Sequence, residues 1–480
     1  MSDFAEPLNS ELNLESELVF DAELLRGYAG RRLKAAVALA TLWLFTALLH
    51  SVAWGREVVL IGTGLMSLQA LRVVLAKPLA APIPLPSTQS ESVAVAAAIA
   101  PQPQLTSPEA SWPYVSLLIA AKNEAQVIGK VVESLLHIDY PAARYDLWII
   151  DDYSTDQTPQ ILDSLARRYP RLNVIHRGPD ATGGKSGALN LVWPQTQGDI
   201  LAVFDADAQV PEDLLRHVVP MFEPQVGTSG QAASAESAQV GAVQVRKAIA
   251  NAQTNFWTRG QKAEMAFDSY MQERRIAIGG IGELRGNGQF VRREAIAQCG
   301  GWNEATITDD LDLTIQLHLH QWDIGLLFAP AVGEEGVTSA TALWHQRNRW
   351  AEGGFQRYLD YWRQLAKNRL GWKKSFDMAT FWIIQYMMPV VALPDLAIAL
   401  SRRQLPIFGP ITVLGVSLSF WGMWTTLRRA EPTSVWRAAG QTLWGTAYML
   451  HWVLVIATMA MRISVRPKRL KWVKTVHGSS

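Results

Sequence analysis

The 480-residue sequence predicts an α/β domain with a mainly parallel sheet, flanked by transmembrane and interfacial helices. Three observations predict it. Between Tyr114 and Trp350, short apolar runs alternate with amphipathic segments, the pattern of strand and helix units in a parallel sheet. Acidic residues directly follow two of those runs, at Asp151-Asp152 and at Asp205-Ala-Asp207. Long apolar stretches lie before and after this region.

Composition narrows the function classes. Forty-four basic residues against 43 acidic give a formal charge of +1, which argues against a broad basic face and so against a nucleic-acid partner. The single cysteine, Cys299, rules out an internal disulfide and suits a reducing compartment such as the cytosol.

Taken in order, residues 1–34 form an acidic N-terminal segment, and the first apolar run begins only after Arg31-Arg32-Leu-Lys34. That is too deep for a usual signal peptide, so the run reads as a retained anchor. Residues 35–76 hold two apolar stretches, each long enough to cross a hydrocarbon core of about 30 Å, and predict a transmembrane hairpin. Residues 77–113 are rich in Pro, Ala and Ser and read as a linker, because Pro opposes both helix and strand. Residues 114–354 carry the α/β pattern, with strands expected at 115–120, 147–150, 173–176 and 200–204 and helices at 125–136 and 159–168. A Gly, Ser, Ala and Gln-rich stretch at 224–239 reads as a mobile surface insertion.

Residues 355–375 predict an amphipathic interfacial helix, with Phe355, Leu359 and Trp362 on one face and Arg357, Arg363 and Lys367 elsewhere. The C-terminal membrane region, 376–461, contains apolar segments at 380–400, 405–427 and 438–461, and residues 462–480 form a basic tail. The first segment carries Asp395, and a mid-membrane Asp costs roughly 2.5–3.5 kcal/mol on insertion scales. The expectation is therefore that 380–400 does not fully cross, leaving two spans before the globular domain and two after it, with the domain and both ends in the cytoplasm.

Four motifs carry candidate chemistry. Asp205 and Asp207 at a strand tip offer hard oxygen ligands that could hold Mg²⁺ or Mn²⁺ against a diphosphate. Asp151 and Asp152 could accept hydrogen bonds from a nucleoside base and ribose, or could cap the helix that follows, as could Asp156. Lys185, in Gly183-Gly-Lys-Ser-Gly-Ala-Leu-Asn190, opens a helix where backbone N–H groups and an ammonium meet phosphate, although on its own it reads as a solvated lysine. Asp309 and Asp310 are adjacent and face different ways, so one can serve as a general base while the other caps a helix. Gln346, Arg349 and Trp350 could contact a sugar and a phosphate, or could be membrane-belt residues as Trp344, Trp362 and Trp372 are expected to be.

Read together, these residues resemble the membrane-integrated glycosyltransferases of family 2, the group that includes cellulose, chitin and hyaluronan synthases. The resemblance also takes in Ala121-Lys-Asn123-Glu124, the Lys185 loop, and Arg285-Gly-Asn-Gly-Gln-Phe-Val-Arg-Arg293 before Gly300-Gly-Trp302. It implies a GT-A-like nucleotide-sugar-binding domain, a UDP-sugar donor and inversion at the anomeric carbon. By that resemblance Asp151, Asp152, Lys185 and Asp205 bind the donor, and Asp205 and Asp207 bind the metal. Asp310 is the catalytic base, while Asp309, Gln346, Arg349 and Trp350 hold the acceptor and diphosphate. Asp309 stands where Glu is usual in the family, so its reach is shorter.

The Pro-rich linker, interfacial helix and few spans suit transfer of one sugar to a membrane lipid. The whole chain is most similar to members using UDP-glucose and diacylglycerol. A processive polysaccharide synthase and a non-catalytic membrane scaffold remain as alternatives.

Overall fold

The computed structural model describes residues 30–88, 112–223, 239–430 and 434–466. The acidic segment before Gly30, most of the linker, the 224–238 insertion and the tail after Arg466 lie outside the described residues.

A seven-stranded mixed sheet organises the middle of the chain. Its strands are β1 (Val115–Ala121), β2 (Tyr145–Asp151), β3 (Leu172–His176), β4 (Ile200–Phe204), β5 (Val240–Ile249), β6 (Gln289–Arg292) and β7 (Asp323–Glu334). They lie in the order β3-β2-β1-β4-β6-β5-β7. Four of the six pairings are parallel, and β6 runs antiparallel between β4 and β5. β1 is buried at every position, as its unbroken apolar run requires of a strand covered on both faces. Two apolar clusters sandwich the sheet, one led by Ile119, Val132 and Phe204 and the other by Leu118, Leu189 and Trp302.

The register sets the positions of the acidic residues. Ala121 pairs with Asp151 and Ile119 with Phe204, so β2 ends level with the tip of β1 and β4 two residues short of it, on either side. Ligands in such sheets bind beyond the carboxyl ends of parallel strands. The helices between the strands are α3 (Ile128–Leu136), α4 (Thr158–Arg168), α5 (Gly184–Val192), α6 (Leu214–Val218), α7 (Phe256–Ala277), α8 (Arg293–Gln298) and α9 (Asp309–Leu319).

Before the sheet stand α1 (Arg31–Ser51) and α2 (Gly55–Leu75), the expected hairpin. After it come α10 (Ala340–Ala366), α11 (Trp372–Trp382), α12 (Met388–Arg402), α13 (Gly409–Ala430), α14 (Val435–Met449) and α15 (His451–Val465). Among the described residues, four helical stretches could cross a membrane by length and composition: Arg31–Ser51, Gly55–Leu75, Trp372–Arg402 and Val435–Val465.

The contacts correct the expectation for 380–400. The second half of Trp372–Arg402, α12, packs against α1. Lys374 at the start of the stretch pairs with Asp323 of the sheet at 2.5 Å, and Asp395 and Arg402 at its end bond to His50. Asp395 is not a bare charge. Its carboxylate accepts the backbone N–H groups of Ile407 and Phe408 at 3.0 and 3.1 Å and lies 2.8 Å from His50 Nε2. These partners offset the desolvation that made this segment look unfit to cross. Pro394 is accommodated similarly, because Trp43 Nε1 donates to the carbonyl of Val390 that Pro394 cannot reach.

α13 returns to the domain side, where Arg429 holds Glu273 at 2.7 Å. The Val435–Val465 stretch breaks at Leu450, and both ends of α15 are tied to helices of the catalytic half: Trp452 to Glu264 at 2.9 Å and Arg462 to Glu352 at 2.8 Å. The Val435–Val465 stretch covers the segment expected at 438–461 and remains long and apolar enough to cross, with α15 packed against α1.

The amphipathic segment also differs from expectation. It continues the helix that carries Gln346 and Trp350, and Arg357 is buried, donating to Glu283 Oε1 at 2.5 Å. Trp344, Trp362 and Trp372 are exposed, as belt residues are.

Asp395→Ala leaves two buried N–H groups without an acceptor, a loss of about 1–3 kcal/mol each. Thermal unfolding in detergent is expected to shift downward by several degrees, with Asp395→Asn, which keeps one acceptor oxygen, losing less. Equal midpoints for Asp395→Ala and the parent would contradict the role given to this carboxylate.

Candidate active site

Beyond the strand tips opens a cavity of about 460 Å³. Its wall includes Lys185, Asp205, Asp207, Asp309, Asp310, Gln346, Arg349 and Trp350, so eight of the ten residues singled out in the sequence converge there. Asp151 and Asp152 lie outside that wall, on the far side of the β1 tip, while Ala120 and Glu124 of the β1 turn connect the two places.

Local sequence explains each position. Asp205 follows β4 directly, and its N–H donates to Asn287 Oδ1 at 3.2 Å, so the Arg285-Gly-Asn-Gly loop buttresses the tip. Gly286 and Gly288 take φ of 81° and 71°, conformations that favour glycine. A Cβ on Gly286 would stand 3.6 Å from Asp310 Oδ2, so its absence keeps space open beside that carboxylate.

Lys185 sits in the first turn of α5 and donates to Asp205 Oδ1 at 2.6 Å. Burial lowers its pKa, but Asp205, Asp309 and Asp310 outweigh burial and hold it above the ordinary lysine value. Burial raises the Asp205 carboxyl in turn, and Lys185 overrides this to leave it below the usual range. The reading of Lys185 on its own as a solvated lysine therefore gives way to that of an ammonium facing three carboxylates.

Asp309 and Asp310 occupy the first turn of α9, where the helix dipole favours negative charge. Asp310 Oδ1 accepts the N–H of Leu311 at 2.9 Å. Burial and the neighbouring Asp309 charge nevertheless push Asp310 up to about 6, a value suited to a general base near neutrality. α10 approaches α9 closely at Gly353, where a Cβ would come within 2.8 Å of Thr308 Cβ, and this brings Gln346, Arg349 and Trp350 opposite the two aspartates.

Asp151 and Asp152 are buried and already hydrogen-bonded. Asp151 lies 2.9 Å from His176 Nδ1 and accepts the Ser154 N–H at 3.1 Å; Asp152 accepts Arg177 Nη1 at 2.6 Å. Asp156, not this pair, meets the start of α4, accepting the Thr158 N–H at 2.9 Å. Burial lowers the His176 pKa, but Asp151 and Asp163 outweigh it and hold the ring above its ordinary value.

Asp205 and Asp207 offer two carboxylates to a cation, and Asp207 also accepts the Glu335 N–H at 3.2 Å. Among the described residues no group of three His, Cys, Asp or Glu stands ready to hold a metal unaided. Two carboxylates fit a divalent ion that completes its shell with phosphate oxygens and water.

Several residues in the cavity wall or directly behind it escaped the sequence reading. Lys247 pairs with Glu334 at 3.2 Å and lies 5.2 Å from the Trp350 ring centre. Arg347 is buried, donates to Gln346 Oε1 at 2.6 Å and to Glu264 at 2.5 Å, and stacks on Trp350 at 4.1 Å, which fixes both neighbours. Glu283 receives Arg275, Arg285 and Arg357; burial raises its carboxyl, and the three guanidiniums drive it far below the usual range. Only the basic residue types were visible in advance, since their acidic partners are on other elements.

The cavity does not stop at the catalytic groups. It continues between the apolar helices, past Met66 and Val73 of α2, Phe381 of α11, and Gly415 and Leu418 of α13.

A strand-end carboxylate constellation on this mixed sheet defines a sugar-nucleotide transferase. Residues 113–353 match the model described as glycosyltransferase like family 2, and the chain belongs to that family. The beta-monoglucosyldiacylglycerol synthase of Synechocystis sp. is 52% identical over 470 residues, covering 96% of this chain and 91% of the relative. The same-named synthase of Nostoc sp. is 51% identical, covering 98% and 96%. A mannosyltransferase from Pyrobaculum calidifontis, solved with GDP-Man and Mn²⁺, superposes with a TM-score of 0.50 at 18% identity, covering 88% of this chain and 99% of that one; it shares the GT-A-like fold.

A base must be ionised to act, so a base role for Asp310, near 6, makes transfer activity fall about tenfold per pH unit below 6 and level off above it. Asp309→Asn removes a charge that raises Asp310 and should move this acid limb of kcat/KM to lower pH. An unmoved limb would mean that another group titrates.

Proposed function

We propose that the protein transfers one glucose from UDP-glucose to the free hydroxyl of 1,2-diacylglycerol, giving monoglucosyldiacylglycerol with inversion. The observation that carries this reading is the single cavity with catalytic carboxylates at one end and apolar membrane helices at the other. An acyl chain suits that apolar lining, whereas a hydroxylated polymer would leave its groups without partners there. The names of the relatives that match nearly the full chain agree with it.

In this reading Asp151 and Asp152 hold the uridine, and Lys185, Arg349 and Gln346 hold the diphosphate beside the β4 tip. Trp350, fixed by Arg347, presents its ring to the acceptor end, and Asp309 lies beside the diphosphate. Asp310 takes the proton of the lipid hydroxyl as the oxygen bonds to the anomeric carbon and the bond from that carbon to the diphosphate breaks. UDP departs with the electron pair, and Lys185 and Arg349 offset its charge. Mg²⁺ or Mn²⁺ held by Asp205 and Asp207 would supply further charge neutralisation on the diphosphate.

The membrane placement follows the same contacts. Arg31 at the start of α1 bonds to Asp360, and Arg462 at the end of α15 bonds to Glu352, which supports the start of α1 and the end of α15 lying on the domain side. A UDP-sugar donor supplied in the cytoplasm supports the reading that this side faces the cytoplasm.

Membranes containing the protein, given radiolabelled UDP-glucose and diacylglycerol, are expected to place label in an organic-soluble monoglycosyl lipid. Asp310→Asn should lower that rate about 10²–10⁴-fold. Label in an insoluble polymer, or full activity in Asp310→Asn, would contradict the assignment.

A further inference from the structure

One polar side chain in the apolar arm of the cavity has no role in the transfer step. Gln385 lies on the wall between α11 and α12, and its Oε1 is buried without a hydrogen-bond partner. The backbone there forms one π turn, Ile383–Met387. Pro389 accounts for it, because it has no N–H to offer the carbonyl of Gln385 four residues back, and its ring crowds that carbonyl. Such turns recur at functional sites. A polar side chain within a membrane helix is itself costly and needs a partner.

Across the same void stands Gly415 of α13. A Cβ there would touch only Ile384 Cγ2, at 4.0 Å, whereas at Gly422, two turns on, it would strike Tyr270 Cδ1 at 2.7 Å. The space beside Gly415 is thus part of the cavity and not a packed helix contact.

Resting on the lipid-acceptor reading above, we infer that Gln385 and Gly415 form the acceptor subsite: Gln385 binds the ester region of diacylglycerol, and the space at Gly415 receives an acyl chain. The chemistry matches. An amide end carries two N–H donors and one acceptor oxygen, and a half-turn about its last bond presents either face. The hydroxyl of diacylglycerol is committed to Asp310, so the lipid's remaining polar groups are ester carbonyls, which accept hydrogen bonds only. A membrane helix otherwise offers them no free donor.

Two variants of the full-length protein test this in mixed micelles. Gln385→Leu keeps the size and removes the hydrogen bonding. Its kcat/KM for diacylglycerol is expected to fall about tenfold, while an ether-linked dialkylglycerol, lacking the carbonyls, is used equally by the variant and the parent. Gly415→Leu should raise the KM for dioleoylglycerol at least tenfold and leave that for dihexanoylglycerol near the parent value. UDP affinity should be unchanged in both.

Loss of activity toward ester and ether lipids alike in Gln385→Leu, or no loss with either, would overturn the role of Gln385. Equal effects on long and short chains in Gly415→Leu would overturn that of Gly415. If the parent protein itself glucosylates no diacylglycerol, the lipid-acceptor reading fails, an outcome separate from either variant result.

Discussion

Charge balance around Lys185 is the constraint on which the rest of the site depends. Asp205, Asp207, Asp309 and Asp310 share one cavity, and carboxylates so placed raise one another's pKa unless cations answer them. Lys185 bonds to Asp205 directly and faces Asp309 and Asp310, so one ammonium ties the tip of β4 to the first turn of α9. The division of labour follows from that asymmetry. Asp205, in contact with the ammonium, stays ionised, whereas Asp310, farther from compensation and beside Asp309, is lifted into the range of a working base.

A second electrostatic mount lies beneath the first. Glu283, wholly buried, is met by Arg275, Arg285 and Arg357 from three elements, and Asp377 of α11 receives Arg275 at 2.9 Å. Breaking one member of such a buried set leaves another charge unpaired, which costs far more than the net worth of the pair. The set joins the Arg285 loop, α10 and α11. It therefore ties the sheet domain to the helices that follow it and holds Asp310 beside the apolar arm of the cavity.

How much of this was legible in the sequence depended on range. β4 was readable to the residue, and β1 to within one, because a buried parallel strand is a continuous apolar run. The acidic motifs were readable because they immediately follow such runs. What failed was every inference needing a distant partner. Asp395 looked like an uncompensated charge because His50 lies 345 residues away, and Arg357 looked like a surface residue because Glu283 is 74 residues upstream. Lys247 and Arg347 were passed over for the same reason. The placement of Asp151 and Asp152 behind the β1 tip, apart from the main cavity, is likewise a property of the sheet and not of spacing.

The most direct measurement is the anomeric configuration of the glycolipid made from α-linked UDP-glucose, read from proton coupling constants by NMR. A lone carboxylate acting as base on the acceptor permits a single displacement, so the product should be the β-glucoside. An α-linked product would mean retention at the anomeric carbon, which a single back-side displacement cannot give, and would contradict the role of Asp310.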